Sequence, residues 1–139
     1  MIGIIGATGT TGRGLVATLK EKGGEFRCLV RDTAKAAETL GSDVELVQAD
    51  LSDAASVEAG LQGCEKLFLL SGHSPVMVEQ QFNAVNAAKT AGVKHIVKLS
   101  GGSFIIKEDS PALIGQGHWK IEQGIRSSGL DWTFLRPGF

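Results

Sequence analysis

Short apolar runs alternate with amphipathic segments along almost the whole of this 139-residue chain. The runs are strand-sized, and because each has apolar residues on both of its faces, they indicate strands that are buried on both faces. They predict six strands, at Ile2–Ile5, Phe26–Val30, Val44–Val47, Leu67–Leu70, His95–Leu99 and Trp132–Leu135.

The segments between the strands have apolar residues at helical spacing, and most of them end at a glycine, which favours helix termination. The stretch Gly101–Gly117 is rich in glycine and polar residues and is predicted as a loop. The predicted helices are Thr11–Lys22, a short helix from a cap at Asp32 or Thr33 through Leu40, a helix from a cap at Asp53 through Leu61, Val76–Ala91 behind Ser74 and Pro75, and about His118–Ser127.

This alternation predicts an α/β fold with one six-stranded parallel sheet covered by helices on both faces. Right-handed crossovers then give a doubly wound Rossmann arrangement in the order 3-2-1-4-5-6, and no linker or repeat divides residues 1–139, so we expect a single domain. Ligands of such sheets bind at the carboxyl ends of the strands, where the strand order reverses. We therefore expect Gly6–Gly12 and Ser71–Ser74 to line one crevice.

The turn after the first strand contains Gly6, Gly9 and Gly12 at three-residue spacing. Gly6 permits a sharp turn, Gly9 allows backbone to approach a phosphate, and Gly12 allows the following helix to pack closely. The free N–H groups at the start of that helix attract an anion. This pattern favours binding of a dinucleotide pyrophosphate, although the spacing differs from G-x-G-x-x-G. The alternative is a glycine-rich turn that binds nothing.

The residue that ends the second strand distinguishes two dinucleotides. An acidic residue there binds both ribose hydroxyls, whereas an arginine attracts a 2′-phosphate. Arg31 occupies this position, and Arg13 can reach the same phosphate, so NADP is favoured over NAD. Asp32 is the alternative ribose acceptor, and its other role is to cap the next helix. Asp50 suits either a contact to the adenine amino group or a turn.

Composition narrows the class of protein further. The net charge is −1, without the basic excess that a nucleic-acid-binding protein needs. No apolar stretch is long enough to span a membrane and no signal peptide is visible, which favours a cytoplasmic location. Cys28 and Cys64 are expected to be buried thiols, and the histidines have no metal-ligand spacing. Tyrosine is absent.

Several motifs resemble those of the NmrA-like, atypical short-chain dehydrogenase/reductase family, which includes NAD(P)H:quinone oxidoreductase-like enzymes and regulators that bind the cofactor without turning it over. The motifs are GATGTTGR at Gly6–Arg13, LVRD at Leu29–Asp32, VQADLSD at Val47–Asp53, AGVKHIVKLSG at Ala91–Gly101 and SGLDWTFLRPGF at Ser128–Phe139.

The resemblance implies a set of cofactor contacts. Gly6, Thr8, Gly9, Thr10, Thr11 and Gly12 would hold the pyrophosphate, Arg31 the 2′-phosphate, Asp50 and Leu51 the adenine, and Ser71 and Gly72 the ribose next to the nicotinamide, with Ser100 near the reactive ring.

The chain departs from the family in its proton donor. Reductases of this kind typically use Tyr-x-x-x-Lys, whereas the corresponding helix here offers His118 and Glu122 on one face, with Lys120 off that face. His118 is therefore the candidate proton carrier. The alternative is that His118 packs or caps the helix start while Glu122 faces solvent or a basic group.

The resemblance also implies a longer protein, since family members usually continue into a segment that builds the substrate pocket. We expect either a cofactor domain of a longer chain or a shortened natural one. The loop Gly101–Gly117 would then be the main wall left to a substrate, with Phe104, Ile105 and Ile106 exposed. These residues and the uncovered sheet would form either a homodimer contact or a site of aggregation.

Two functions follow from these observations. The first is hydride transfer from NADPH to a small electrophile, such as a quinone or another carbonyl compound, by an NADP(H)-binding domain of an NmrA-like oxidoreductase. The alternative is a non-catalytic module that senses NADP and binds a partner protein.

Overall fold

A computed structural model of the chain describes residues 1–138, and Phe139, the end of the last family motif, lies outside the described residues. These residues form one parallel sheet in the order β3-β2-β1-β4-β5-β6, which confirms the predicted fold class. The strands are β1 (Ile2–Ile5), β2 (Phe26–Val30), β3 (Leu46–Gln48), β4 (Lys66–Leu69), β5 (His95–Leu99) and β6 (Asp131–Leu135). The helices are α1 (Thr10–Lys22), α2 (Thr33–Leu40), α3 (Ala54–Gly60), α4 (Met77–Ala91) and α5 (Leu113–Arg126).

The core lies in two layers, because successive residues of a strand point to opposite faces of the sheet. Ile5, Leu29, Leu69 and Ile96 pack beneath α3, α4 and α5. Residues such as Ile4, Cys28 and Phe68 pack on the other face, beneath α1 and α2. Each fully buried Leu or Ile contributes about 1.5–3 kcal/mol to stability, so both layers hold the sheet in place.

Helix α5 begins at Leu113, whereas the sequence predicted a start near His118. The difference comes from Gly115 and Gly117 in the first turns of the helix, because glycine is unfavourable in helices and the segment was therefore predicted as a loop. A Cβ on Gly115 would lie 2.0 Å from the carbonyl oxygen of Ile105. The helix therefore starts against the preceding loop, and only glycine allows that close approach.

The loop before α5 is only partly exposed. Phe104 is 69% exposed, as predicted. Ile105 is half-buried and Ile106 is 8% exposed, so the prediction that these two residues would be exposed was wrong. The sheet beside α1 has an apolar groove lined by Ile2, Leu15, Leu19, Lys66, Leu67, Phe68, Val97 and Leu135. The homodimer contact stays a prediction.

Within residues 1–138, no helix combines the length and the apolar character that crossing a membrane requires.

Candidate functional site

The glycine turn and the segment after β4 lie side by side. Strands β1 and β4 are parallel neighbours, with Ile5 opposite Leu69. Strands β2 and β3 lie beyond β1, and β5 and β6 lie beyond β4, so the strand order reverses between β1 and β4. A Cβ added to Gly6 would lie only 2.4 Å from the carbonyl oxygen of Leu70. The two segments that were expected to line one crevice therefore lie next to each other, at the point where the strand order reverses.

The backbone of the turn has the shape that the three glycines predicted. Gly6 has φ +93°, a left-handed conformation that favours glycine. A Cβ on Gly12 would lie 2.0 Å from the carbonyl oxygen of Gly6, so α1 packs tightly against the turn. Gly9 has only one atom within 4 Å of its would-be Cβ, at 3.8 Å, so its surroundings are open.

Helix α1 presents its N-terminus to this crevice. Gly9 is the N-cap, and no side chain within residues 1–138 caps the helix. Thr8, Thr10 and Thr11 are exposed around it. Uncapped N–H groups and the positive end of the helix dipole bind anions, and the missing Cβ atoms leave space for one. The residues therefore fit the pyrophosphate of a dinucleotide.

Arg31 follows β2 at the same edge of the sheet, since Leu29 lies opposite Ile5 in the neighbouring strand. Its side chain and that of Arg13 are exposed, and neither forms a hydrogen bond or ion pair within the described part of the chain. The carboxylate of Asp32 accepts a hydrogen bond from the Lys35 N–H at 3.0 Å. Asp32 therefore caps α2, one of the two roles that the sequence left open.

Asp50 lies in the turn after β3 and is exposed. Its Oδ1 accepts a hydrogen bond from the Ser52 N–H at 2.8 Å, so one carboxylate oxygen shapes the turn. Leu51 is half-buried against the core. The contacts of both residues to adenine stay predictions.

A line of hydrogen bonds that the sequence did not reveal runs from β5 to the crevice. Lys98 is 0% exposed, and its Nζ donates to Gln81 Oε1 at 2.7 Å. Gln81 Nε2 donates in turn to Ser71 Oγ at 2.8 Å. Burial lowers the pKa of Lys98 to about 8, while the charge of Glu122 acts in the opposite direction. The signal in the sequence was a lysine inside the apolar run HIVKL. Gly72, next to Ser71, is exposed with open space around it.

A second set of hydrogen bonds joins the buried Ser100 and Glu122 to the exposed Arg136. Ser100 Oγ donates to Glu122 Oε2 at 2.6 Å, and Arg136 binds both oxygens of the same carboxylate. Glu122 is 1% exposed, so of the two surroundings that the sequence left open for it, the structure has the basic group. Because the hydroxyl hydrogen of Ser100 is used by Glu122, Ser100 offers a ligand only the lone pairs of its oxygen.

His118 lies on the same buried face of α5 as Glu122 and is 3% exposed. Its pKa is lowered to about 4, mainly by burial and also by the charges of Lys98 and His73, while the charge of Glu122 acts in the opposite direction. The ring of His73 lies edge-on, with centroids 5.6 Å apart. His118 is therefore neutral near pH 7, where it can form hydrogen bonds but carries no extra proton. Its role as a proton carrier stays a prediction.

This chain is similar to known proteins over its whole length. The sequence profile of a family described as NAD(P)H-binding matches residues 6–139. The NAD(P)H azoreductase of Xenophilus azovorans is 39% identical over 139 residues, which cover 100% of this chain and 48% of that protein. Quinone oxidoreductase 2 of Escherichia coli is 34% identical over 142 residues, with coverages of 100% and 49%.

Two solved structures match with similar extent. The NADPH complex of the quinone oxidoreductase QOR2 from Escherichia coli has a TM-score of 0.89 at 34% identity and covers 100% of this chain and 49% of that one. The NADP(H) complex of Citrobacter sp. triphenylmethane reductase has a TM-score of 0.88 at 30% identity, with coverages of 100% and 50%. The chain thus spans about half the length of the relatives it matches. It belongs to the NAD(P)H-binding family, among the NmrA-like, atypical short-chain dehydrogenase/reductases whose motifs it resembles.

Proposed function

We propose that this chain is the NADP(H)-binding domain of an oxidoreductase that reduces a small electrophile, such as a quinone or another carbonyl compound. The observation that supports the choice of NADP(H) is the hydrogen bond between Asp32 and the Lys35 N–H. This bond engages the acidic group that could read an unmodified ribose. It leaves the guanidinium of Arg31, without a partner in residues 1–138, as the group that meets the 2′-position.

The charge at this position decides between the two cofactors. A guanidinium binds a phosphate bidentately and stays charged at every relevant pH, whereas a carboxylate repels a phosphate. Arg13, in the first turns of α1, adds a second positive charge near the same edge. Both arginines are exposed, so the phosphate displaces water rather than another protein group.

The remaining proposed contacts are made to successive parts of the dinucleotide. The amides after Gly6 and at the start of α1 hold the pyrophosphate, with Thr8, Thr10 and Thr11 around it; Asp50 and Leu51 lie toward the adenine, and Ser71 and Gly72 toward the ribose next to the nicotinamide. When bound, the cofactor supplies a hydride from its nicotinamide ring. The protein orients the two reactants and sets the charge around them.

The substrate class is supported by the state of the groups around β5. His118 is neutral near pH 7 because its pKa lies at about 4, and the hydrogen of Ser100 is bound to Glu122. Neither side chain is then a strong acid, which suits a quinone because the oxygens of its reduced form need little help from a protein acid. Two relatives, a quinone oxidoreductase and an azoreductase, support a small unsaturated acceptor.

The cofactor preference is tested by measuring the affinities for NADPH and NADH side by side on the wild type and on Arg31→Ala. Loss of a charged hydrogen bond to a phosphate removes about 1.5–3 kcal/mol, so NADPH binding is expected to weaken roughly 10- to 150-fold while NADH binding is unchanged. Arg126→Ala is the matched control, because Arg126 is exposed at the far end of α5 and stacks on Trp132. Unchanged NADPH affinity in Arg31→Ala contradicts the assignment.

Hydride transfer is tested separately, by following the absorbance of NADPH with and without benzoquinone. We expect loss of absorbance that depends on the quinone and on the protein. A protein that binds NADPH tightly but shows no such loss contradicts the enzymatic part of the proposal and leaves only cofactor binding.

A further inference from the structure

Lys98, Gln81 and Ser71 form a continuous line from the interior of the protein to the crevice. Lys98 Nζ donates to Gln81 Oε1 at 2.7 Å, and Gln81 Nε2 donates to Ser71 Oγ at 2.8 Å. Lys98 and Gln81 are 0% and 1% exposed, whereas Ser71 is half-buried at the carboxyl end of β4. Of these three residues only Ser71 has a role in the proposed cofactor site, so the burial of the polar side chains of Lys98 and Gln81 has to be explained separately.

The direction of these hydrogen bonds is fixed by the chemistry of lysine. An ammonium group donates and has no lone pair, and with a pKa of about 8 Lys98 is mostly protonated at pH 7. The oxygen of the Gln81 amide must therefore face Lys98, since the opposite orientation would place donor against donor. The amide nitrogen is then left to face Ser71, whose hydroxyl oxygen can only accept from it.

Ser71 is consequently left with a free hydrogen. Its oxygen accepts from Gln81, and within residues 1–138 its hydroxyl donates to no other group. Ser100, at the end of the neighbouring strand β5, has the opposite arrangement, because its hydrogen is used by Glu122. The two serines therefore differ in what they offer a ligand: Ser71 has a hydrogen to donate, whereas Ser100 can only accept.

We propose that Lys98 and Gln81 are positioning residues that hold the hydroxyl of Ser71 as a hydrogen-bond donor toward an acceptor oxygen of the dinucleotide in the crevice. This inference rests on the proposed function, since it requires the cofactor to lie against Ser71. It adds that the specificity of this contact is set by two buried side chains that do not touch the cofactor.

Two substitutions of Gln81 separate this role from a structural one. Gln81→Glu keeps the shape and pairs with the Lys98 ammonium, but it presents an acceptor to Ser71 and turns the serine hydrogen away from the ligand. Gln81→Met removes both hydrogen bonds, leaving Ser71 free to rotate and Lys98 buried without a partner. We expect NADPH affinity at pH 7 to fall about tenfold in Gln81→Glu and about threefold in Gln81→Met.

Stability should follow the opposite order. Gln81→Glu is expected to keep or raise the melting temperature of the wild type, because the buried ammonium gains a carboxylate, whereas Gln81→Met is expected to lower it. If the residues serve only the fold, affinity and melting temperature fall together, and Gln81→Met is the weaker variant in both measurements. That result would overturn the inference.

A double-mutant cycle with Ser71→Ala completes the test. Ser71→Ala alone should weaken NADPH binding about five- to tenfold, and adding Gln81→Glu to it should change the affinity no further. Full additivity, or wild-type affinity in Gln81→Glu, would overturn the inference while leaving the cofactor proposal intact. Failure of the unaltered protein to bind NADPH would overturn the proposed function itself.

Discussion

Two glycines near the start of α1 allow the glycine turn to be tested with a control from the same helix. Gly12 is buried and Gly14 is exposed, two residues further on. A Cβ on Gly12 would meet only backbone, at 2.0 Å from the Gly6 carbonyl oxygen and 2.6 Å from Ala7 Cα. A Cβ on Gly14 would have nothing within 4 Å. Alanine at both positions therefore makes the same chemical change in two different surroundings.

The expected magnitudes follow from this geometry. Alanine stabilises a helix by about 1 kcal/mol relative to glycine, and Gly14→Ala should gain up to that amount. At Gly12 the same gain is opposed by overpacking, which costs about 1–3 kcal/mol, and the upper end applies because no side chain can rotate away. We expect Gly12→Ala to lose about 2 kcal/mol, so that the two variants differ by about 3 kcal/mol.

Urea unfolding followed by tryptophan fluorescence measures this difference, with an unchanged m value showing that the unfolded states are comparable. Isothermal titration with NADPH should give weaker binding for Gly12→Ala, because α1 and its N–H groups must move, and wild-type affinity for Gly14→Ala. Equal stabilities of the two variants would refute the argument that close packing of α1 against the turn requires glycine. Equal affinities would refute the placement of the cofactor at this helix N-terminus.

Three further substitutions test other contacts. Asp32→Ala removes the cap of α2 and should lower the free energy of unfolding in urea by about 1 kcal/mol. The ratio of NADPH to NADH affinity should be unchanged, and loss of NADH binding alone would instead make Asp32 a ribose ligand. The pKa of His118 is about 4 in the folded protein and 6.5 in the unfolded chain, so the unfolded chain binds more protons between these two pH values and stability falls as the pH falls through them. His118→Gln should flatten this dependence of the unfolding free energy on pH, measured by urea unfolding at several pH values. A dependence as steep as that of the wild type would contradict the role of His118. Arg136→Met leaves Glu122 buried without its cation and should lower the free energy of unfolding in urea by about 2–4 kcal/mol. The double variant Arg136→Met, Glu122→Gln should recover most of this loss. Equal losses in the single and the double variant would show that the ion pair is not the cause.

The order of the strands could be predicted because each signal for it is local. The apolar runs of β1, β2 and β5 are bounded by glycine, charge or polar residues, and the structure gives these strands the predicted bounds. The position of Gly6 after the first strand predicted a sharp turn, and the structure has one there, with φ +93°. Once strands and helices alternate, the handedness of the crossovers leaves few topologies to choose from.

The start of α5 could not be predicted, since its reason lies in tertiary contacts. Gly115 and Gly117 have low helix propensity, so the segment from Leu113 appeared to be loop. Both glycines instead allow close packing, of Gly115 against Ile105 and of Gly117 against Met77. Helix propensity depends only on the residue type, whereas the start of this helix is stabilised by packing against residues that are distant in the sequence.

The buried polar groups were beyond the sequence for a related reason. Lys98 stands out within an apolar strand, but nothing local shows that its partner is Gln81 on α4, and Arg136 binds Glu122 from beyond β6. Such groups add little to stability, because apolar side chains of similar volume usually serve a core as well or better. Their position beside Ser71 and Ser100, at the carboxyl ends of β4 and β5, supports the proposal that they serve the cofactor site: Gln81 leaves the hydrogen of Ser71 free for a ligand, whereas Glu122 takes the hydrogen of Ser100.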